Sequence, residues 1–156
     1  MPEQGRWNVG RVEEIVAERA HLEGALLPIL HAVQSEFGFV PRDAIPVIAA
    51  ALNVTRAEVY GVVSFYHDFR EQPPGRRVVK LCRAEACQSM GGKALADAVL
   101  KRLKVQWNGT AADDSVTVEP AYCLGLCSVA PAALVDGKPH GKLDARRLFA
   151  AIKENE

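Results

Sequence analysis

The spacing of four cysteines constrains the fold of this 156-residue chain more than any other feature of its sequence. The four positions are Cys82, Cys87, Cys123 and Cys127. Each pair follows a short apolar segment that predicts a strand, the first ending at Leu81 and the second at Val118. If these strands lie side by side and parallel, both loops leave the same end of a sheet, and four thiols meet there.

This spacing favours an iron–sulfur cluster over other uses of cysteine. Structural zinc usually takes pairs separated by two residues, whereas four and three residues separate the cysteines here. In a [2Fe–2S] cluster each iron takes two cysteines, and longer loops suit its elongated shape. A thioredoxin-type enzyme would need a C-x-x-C motif, which the sequence lacks. Zinc and thiol chemistry remain as alternatives at this point.

The first 70 residues have helical periodicity throughout. Apolar residues recur at helical spacing from Val9 to Val16 and from Leu26 to Phe37, and Gly38 predicts the end of the second helix. A third helix is predicted over residues 42–52. Thr55 and Glu58 have the spacing of a capping box, which predicts the start of a fourth helix. We expect residues 1–70 to form a helical bundle that docks a partner.

The periodicity changes after the Pro- and Gly-rich residues 71–75, and residues 76–156 predict a β-α-β-β-β-α order. Asp136-Gly137 predicts a hairpin turn, and Pro139 then belongs to an edge strand. A four-stranded mixed sheet covered by helices would bury this pattern, as in thioredoxin. The predicted class is α+β, with a helical segment at 1–70 and a cysteine-bearing domain at 76–156.

Charge and hydropathy exclude several classes of function. Nineteen Lys and Arg balance nineteen Asp and Glu, so neither a nucleic-acid partner nor direct membrane insertion is expected. No apolar run approaches the roughly 20 residues that cross a bilayer. Residues 1–7 are polar and lack the apolar core of a signal peptide. We therefore expect a cytoplasmic protein with reduced cysteines.

Several motifs resemble the small [2Fe–2S] subunit of NADH:quinone oxidoreductase and its relatives in NAD-reducing hydrogenases and NAD-dependent formate dehydrogenases. In the helical part they lie at residues 30–41 and 58–66. In the second part they comprise the first two cysteines, residues 123–127 and residues 130–132. Together they extend over nearly the whole chain. The resemblance implies a helical N-terminal part followed by a thioredoxin-like ferredoxin domain.

The resemblance also implies that this chain transfers electrons and does not catalyse a reaction by itself. One [2Fe–2S] cluster would be held by Cys82, Cys87, Cys123 and Cys127 and would exchange electrons with an FMN- and NAD-binding subunit. The sequence itself has no G-x-G-x-x-G or P-loop motif and no complete active site. We therefore expect an electron-transfer subunit of an NAD-dependent oxidoreductase.

Residues 82–92 look most like the gamma subunit of soluble, molybdenum-containing, NAD-dependent formate dehydrogenase. That choice implies a molybdenum-containing catalytic subunit as a further partner. The respiratory quinone reductase is the second choice and the hydrogenase the third. A structural zinc module and a thiol–disulfide enzyme remain as alternatives from other classes.

Overall fold

The computed structural model describes residues 7–153, and the chain divides into two units between Pro73 and Pro74. The polar residues 1–6, which contributed to the expected cytoplasmic location, lie outside the described range. The first unit contains four helices, which are α1 (Val9–Arg19), α2 (Leu26–Phe37), α3 (Ala44–Leu52) and α4 (Arg56–Phe65).

Local sequence signals set the ends of these helices. The Asn8 side chain accepts a hydrogen bond from the Arg11 N–H (2.8 Å) and caps α1. Gly38 ends α2 with a φ of 84°, a left-handed conformation that glycine adopts without a steric penalty. The capping box predicted at the start of α4 is confirmed, because Thr55 and Glu58 exchange both of its hydrogen bonds.

The apolar stripes of the four helices meet in one core. Its fully buried side chains include Val12, Ile29, Leu30, Val33, Val40, Ile48 and Val59. Burying an aliphatic side chain of this size contributes about 1.5–3 kcal/mol. Outside this core, Phe65 and Tyr66 at the end of α4 keep 71% and 44% of their surface exposed.

The second unit is built around a sheet whose strand order is β2-β3-β1-β4-β5. Its elements in chain order are β1 (Arg77–Cys82), α5 (Glu85–Ser89), α6 (Gly92–Leu103), β2 (Gly109–Thr110), β3 (Val116–Ala121), a 3₁₀ turn (Cys127–Val129), β4 (Ala133–Val135), β5 (Lys138–His140) and α7 (Ala145–Lys153). Strands β1 and β3 are parallel neighbours, which meets the condition under which the two cysteine loops leave the same end of the sheet. The α+β class with a mixed sheet is confirmed.

The predicted number of strands is wrong by one, because the sheet has five strands within residues 7–153. The extra strand is β2, which follows the Asn108 turn, where Asn108 has a φ of 60°. Gly109 and Thr110 pair antiparallel with Val118 and Thr117 of β3. A two-residue strand has too short an apolar pattern to be recognised in the sequence.

Helices α6 and α7 supply the apolar cover of the sheet. Val79 and Val118 of the central strands form one core with Val99 of α6 and Leu148 of α7, and all four side chains are fully buried. The predicted hairpin turn is present, since Asp136 and Gly137 have φ values of 50° and 79°. Pro139 lies in the edge strand β5 as predicted.

Within residues 7–153, no individual helix combines the length and the apolar character needed to cross a membrane. Helices α3 and α4 reach that length and apolar character only when taken together, and they are bent by 118° where they join.

Candidate metal centre

The parallel pairing of β1 and β3 brings the two cysteine-bearing loops to one end of the sheet. Cys82 is the last residue of β1 and lies opposite Ala121, the last residue of β3. Cys87 follows in the short helix α5, and Cys123 lies two residues beyond β3. Cys127 begins the 3₁₀ turn. All four predicted site residues therefore lie on segments that start at the same sheet end.

The four thiols are arranged as two neighbouring pairs. Cys82 and Cys87 lie close enough to influence each other's ionisation, and so do Cys123 and Cys127. The two pairs also influence each other, because charge on Cys127 raises the pKa of Cys87 and charge on Cys82 raises the pKa of Cys127. In the described part of the chain, no three His, Cys, Asp or Glu side chains are grouped so that they could hold one metal ion.

The pairing shifts the pKa of two thiols. Burial, followed by the neighbouring Cys82 thiol, raises the pKa of Cys87. The neighbouring Cys123 thiol and its charge raise the pKa of Cys127. Cys82 and Cys123 therefore oppose ionisation of Cys87 and Cys127. A positively charged metal centre would offset this repulsion and favour the thiolates that ligate metal.

The two pairs differ strongly in burial. Cys82 and Cys87 keep only 7% and 1% of their surface exposed, and they form one apolar cluster with Ala130 and Ala132. Cys123 and Cys127 are both exposed. The site therefore has one covered side and one open side, a difference that the sequence spacing did not reveal.

The loop carrying the second pair has an unusual backbone. Cys123 has a φ of 127°, which is costly for any residue with a Cβ atom. Gly125 follows with a φ of 72°, and its N–H donates a hydrogen bond to the Cys123 sulfur (3.4 Å). This bend turns a backbone donor towards a sulfur, an arrangement that stabilises negative charge on it.

The loop carrying the first pair depends on a close backbone approach. Helix α6 begins at Gly92, and a Cβ atom there would lie 2.6 Å from the Cys87 carbonyl oxygen. Only glycine allows α6 to start this close to α5.

Arg83, the residue after Cys82, does not pair with Glu85. Its guanidinium carbon lies 4.9 Å from the centre of the Trp107 ring.

The donor set fits a [2Fe–2S] cluster. Four thiols form two pairs, so each iron can take one pair, and a backbone N–H already points to one of the sulfurs. A single tetrahedral zinc ion would instead need all four sulfurs about 2.3 Å from one point. The grouping of the thiols in two pairs therefore suits a binuclear centre better than a single zinc ion.

Comparison with known proteins points to the same chemistry. The profile of the thioredoxin-like [2Fe–2S] ferredoxin family matches residues 12–156. The chain is 35% identical to a component of the NADH-quinone oxidoreductase of Pseudomonas aeruginosa over 117 residues, which cover 75% of this chain and 70% of that protein. It is 31% identical to the HndA component of the NADP-reducing hydrogenase of Solidesulfovibrio fructosivorans over 143 residues, which cover 92% and 84% respectively.

Solved structures give a similar result. The crystal structure of NAD⁺-reducing [NiFe]-hydrogenase in the H₂-reduced state matches with a TM-score of 0.70 and 30% identity, over 83% of this chain and 22% of the hydrogenase chain. The air-oxidised state matches with a TM-score of 0.62 and 25% identity, over 99% and 24%. This chain therefore spans less than a quarter of that hydrogenase chain. The family profile covers both units of the structure, and the chain belongs to the thioredoxin-like [2Fe–2S] ferredoxin family.

Proposed function

We propose that this chain is a [2Fe–2S] electron-transfer subunit of a multisubunit NAD-dependent oxidoreductase and has no active site of its own. One cluster is held by Cys82, Cys87, Cys123 and Cys127. The observation that carries this proposal is the position of the four cysteines on two loops that start at the same end of a sheet, where the thiols form two neighbouring pairs. The partner is an FMN- and NAD-binding subunit, since flavin converts the electron pair of a hydride into single electrons.

The residues of the chain have separate tasks in this function. When bound, the cluster accepts and returns one electron at a time. The first thiol pair anchors it under the apolar cover of Ala130 and Ala132, which keeps water away from that side. The Gly125 N–H offsets negative charge at the Cys123 sulfur. The exposed second pair leaves one side of the site accessible to a redox partner.

The two units take different roles in the proposal. Residues 76–156 carry the cluster, and residues 1–70 dock a partner subunit. The exposed Phe65 and Tyr66, which contact each other edge to face at 5.2 Å between ring centres, support a docking role for the helical unit. Phe65→Ser should weaken assembly with the partner without lowering cluster content, whereas the exposed control Leu22→Ser should change neither.

The parent complex that we favour is soluble NAD-dependent formate dehydrogenase in the cytoplasm. Residues 82–92 support this choice by their resemblance to its gamma subunit, and it adds a molybdenum-containing catalytic subunit to the partners. Relatives among NADH-quinone oxidoreductase and hydrogenase subunits make those two complexes the alternatives. Subunits that co-purify distinguish the three: a molybdenum protein, a membrane arm, or a nickel–iron protein.

The cluster itself is tested by anaerobic purification of the full chain. A [2Fe–2S] protein is red-brown, contains two irons and two labile sulfides per chain, and gains an electron paramagnetic resonance signal after reduction with dithionite. A colourless chain with one zinc ion would establish a structural zinc module. A chain without metal that exchanges disulfides would establish a thiol enzyme. Either result would overturn the proposal.

A further inference from the structure

A cavity of about 160 Å³ lies next to the first thiol pair. Its lining includes Cys82, Arg83, Gln88, Lys93, Asp97 and Trp107. Apart from Cys82, none of these six residues has a role in the proposed function. The cavity is therefore a separate feature that adjoins the candidate site.

Arg83 is an exposed residue at the wall of this cavity, and no group of the described chain uses its guanidinium N–H donors. The guanidinium carbon lies 4.9 Å from the centre of the Trp107 ring, a cation–π contact that fixes the side chain. Gln88 Nε2 donates to the Arg83 carbonyl oxygen (3.1 Å), which fixes the main chain. In residues 7–153, no oxygen atom accepts a hydrogen bond from the guanidinium. Its planar set of five N–H donors therefore remains available.

The charges that line the cavity favour an anion. Lys93 Nζ contacts Asp97 Oδ2 at 2.8 Å, so these two charges offset each other. The charge of Arg83 is left without a counterion among the described residues, and arginine cannot lose its proton in a protein. A carboxylate is the planar anion that matches the guanidinium, because it accepts two parallel N–H bonds. The cavity is large enough for the end of an Asp or Glu side chain but not for a nucleotide.

The position of the cavity indicates where such a carboxylate comes from. Arg83 directly follows Cys82, and its N–H donates to the Ala121 carbonyl oxygen (2.7 Å). Arg83 is therefore tied to the point where both cysteine loops begin. Tyr122, the next residue after Ala121, keeps 70% of its surface exposed and adds apolar area at this point. A protein that approaches this end of the sheet thus meets both an unneutralised cation and an exposed aromatic side chain.

We propose that the FMN- and NAD-binding subunit inserts an acidic side chain into this cavity and that the carboxylate pairs with Arg83. The cavity is then a docking contact that holds the two subunits together for electron exchange. This inference rests on the proposed function and names part of its interface. The positive charge of Arg83 is complementary to a carboxylate, so the occupant is an Asp or Glu side chain of that partner. The contact sets affinity and orientation, and Arg83 is a positioning residue.

The test measures the dissociation constant between the full-length chain with its cluster and the FMN- and NAD-binding subunit, both oxidised. Losing a bidentate charge-assisted pair weakens binding by about ten- to a hundredfold, so Arg83→Gln should show this loss at low salt. Arg83→Lys keeps the charge without the planar donors and should lose less. Raising the ionic strength should weaken binding of the unchanged chain more than binding of the Gln variant.

The matched control is Arg102→Gln. Arg102 also lies over an aromatic ring, at 4.1 Å from the centre of Phe149, and the substitution removes the same charge at a residue that does not line the cavity. It should leave the dissociation constant within about twofold of the unchanged chain. If Arg83→Gln and Arg102→Gln bind equally well, the docking contact is wrong.

Cluster content separates this inference from the proposed function. If Arg83→Gln keeps its iron and spectrum and still binds normally, only the docking contact is overturned. If the unchanged chain has no iron, the proposed function fails regardless of binding. If the unchanged chain has its cluster but does not bind the flavin subunit, both the partner and the contact are wrong. Added inorganic phosphate should compete for Arg83 and therefore weaken binding of the unchanged chain more than binding of Arg83→Gln. If phosphate weakens binding of both chains equally, the docking contact is wrong.

Discussion

Cys82 of β1 lies directly opposite Ala121 of β3 in a parallel register. The two cysteine loops therefore start at the same level, and the Arg83 N–H joins them by its bond to the Ala121 carbonyl. Because side chains alternate along a strand, a slip of one residue would turn Cys82 to the other face of the sheet. The register of these two strands thus determines whether the thiols can meet.

Serine at any of the four cysteines should lower the iron content, because a hydroxyl is a weaker iron ligand than a thiolate. The effect on the metal-free protein should depend on burial. Cys87→Ser replaces a buried sulfur by a smaller and more polar hydroxyl in an apolar cluster and should cost about 1–3 kcal/mol of stability. Cys127→Ser is exposed and should change stability little. Iron analysis and thermal unfolding of the metal-free chain measure the two effects.

Ser128→Ala is the control for the cysteine variants, because Ser128 is exposed and adjoins Cys127. It should retain full iron content. A cysteine variant that keeps its iron and its absorption spectrum identifies a residue that is not a ligand.

Gly92→Ala should destabilise the second unit and reduce cluster content. The new Cβ atom would lie 2.6 Å from the Cys87 oxygen and 2.9 Å from its carbonyl carbon, so α5 and α6 must separate. We expect a cost of about 1–3 kcal/mol, measured by thermal unfolding of the metal-free chain. The control Gly61→Ala adds a Cβ atom in open space within α4 and should stabilise by about 0.5–1 kcal/mol. Unchanged stability and iron content for Gly92→Ala would contradict this prediction.

The capping box predicts an acid-sensitive end of α4. Hydrogen bonds from the Thr55 N–H and hydroxyl, both 2.7 Å, lower the pKa of Glu58 in the folded chain. A lowered pKa means that Glu58 stabilises the fold above its unfolded pKa, and that this contribution is lost as the pH falls through the folded pKa. Glu58→Gln should therefore be less stable than the unchanged chain at neutral pH, and the difference should shrink in acid.

Amide hydrogen exchange at Val59 measures this effect, because the Val59 N–H donates to the Thr55 carbonyl within the first turn of α4. Ser64→Ala, near the other end of the same helix, carries no titrating group and serves as the control. A protection difference between Glu58→Gln and the unchanged chain that stays constant from neutral to acid pH would refute the assignment.

The Asp136 turn should tolerate Asn much better than Ala. The Asp136 carboxylate accepts hydrogen bonds from Arg77 Nη1 (2.8 Å) and from the Val78 N–H (2.9 Å), and its φ is 50°. Asn adopts this left-handed conformation readily and keeps one acceptor, whereas Ala lacks both advantages. We expect Asp136→Ala to cost about 1–3 kcal/mol in thermal unfolding. Asp97→Ala breaks only an exposed ion pair and should cost under about 1 kcal/mol.

Signals confined to a few neighbouring residues were predictable from the sequence. The Thr55 and Glu58 capping box, the Gly38 helix end and the Asp136 turn each depend on local backbone chemistry, and the structure contains all three. The apolar segments of β1 and β3 were also predictable as strands, whereas their parallel pairing entered only as the condition under which the four thiols meet. These features explain why the fold class could be predicted from the sequence.

Features that depend on distant contacts were not predictable. Helix α5 has only five residues, too few for a helical pattern. Arg83 and Trp107 lie far apart in the sequence and meet only through the fold, so the cavity between them has no sequence signal. The different exposure of the two cysteine pairs likewise depends on Ala130 and Ala132, which reach Cys87 through the fold.

The two edges of the sheet bear on how this protein behaves at high concentration. One edge is the two-residue strand β2, and the other is β5, where Pro139 lacks the N–H that an added strand would need. A chain with zero net charge has little electrostatic repulsion against self-association. The short edge β2 and the proline-interrupted edge β5 limit self-association instead, because neither lets a second copy add a strand and extend the sheet into a fibre.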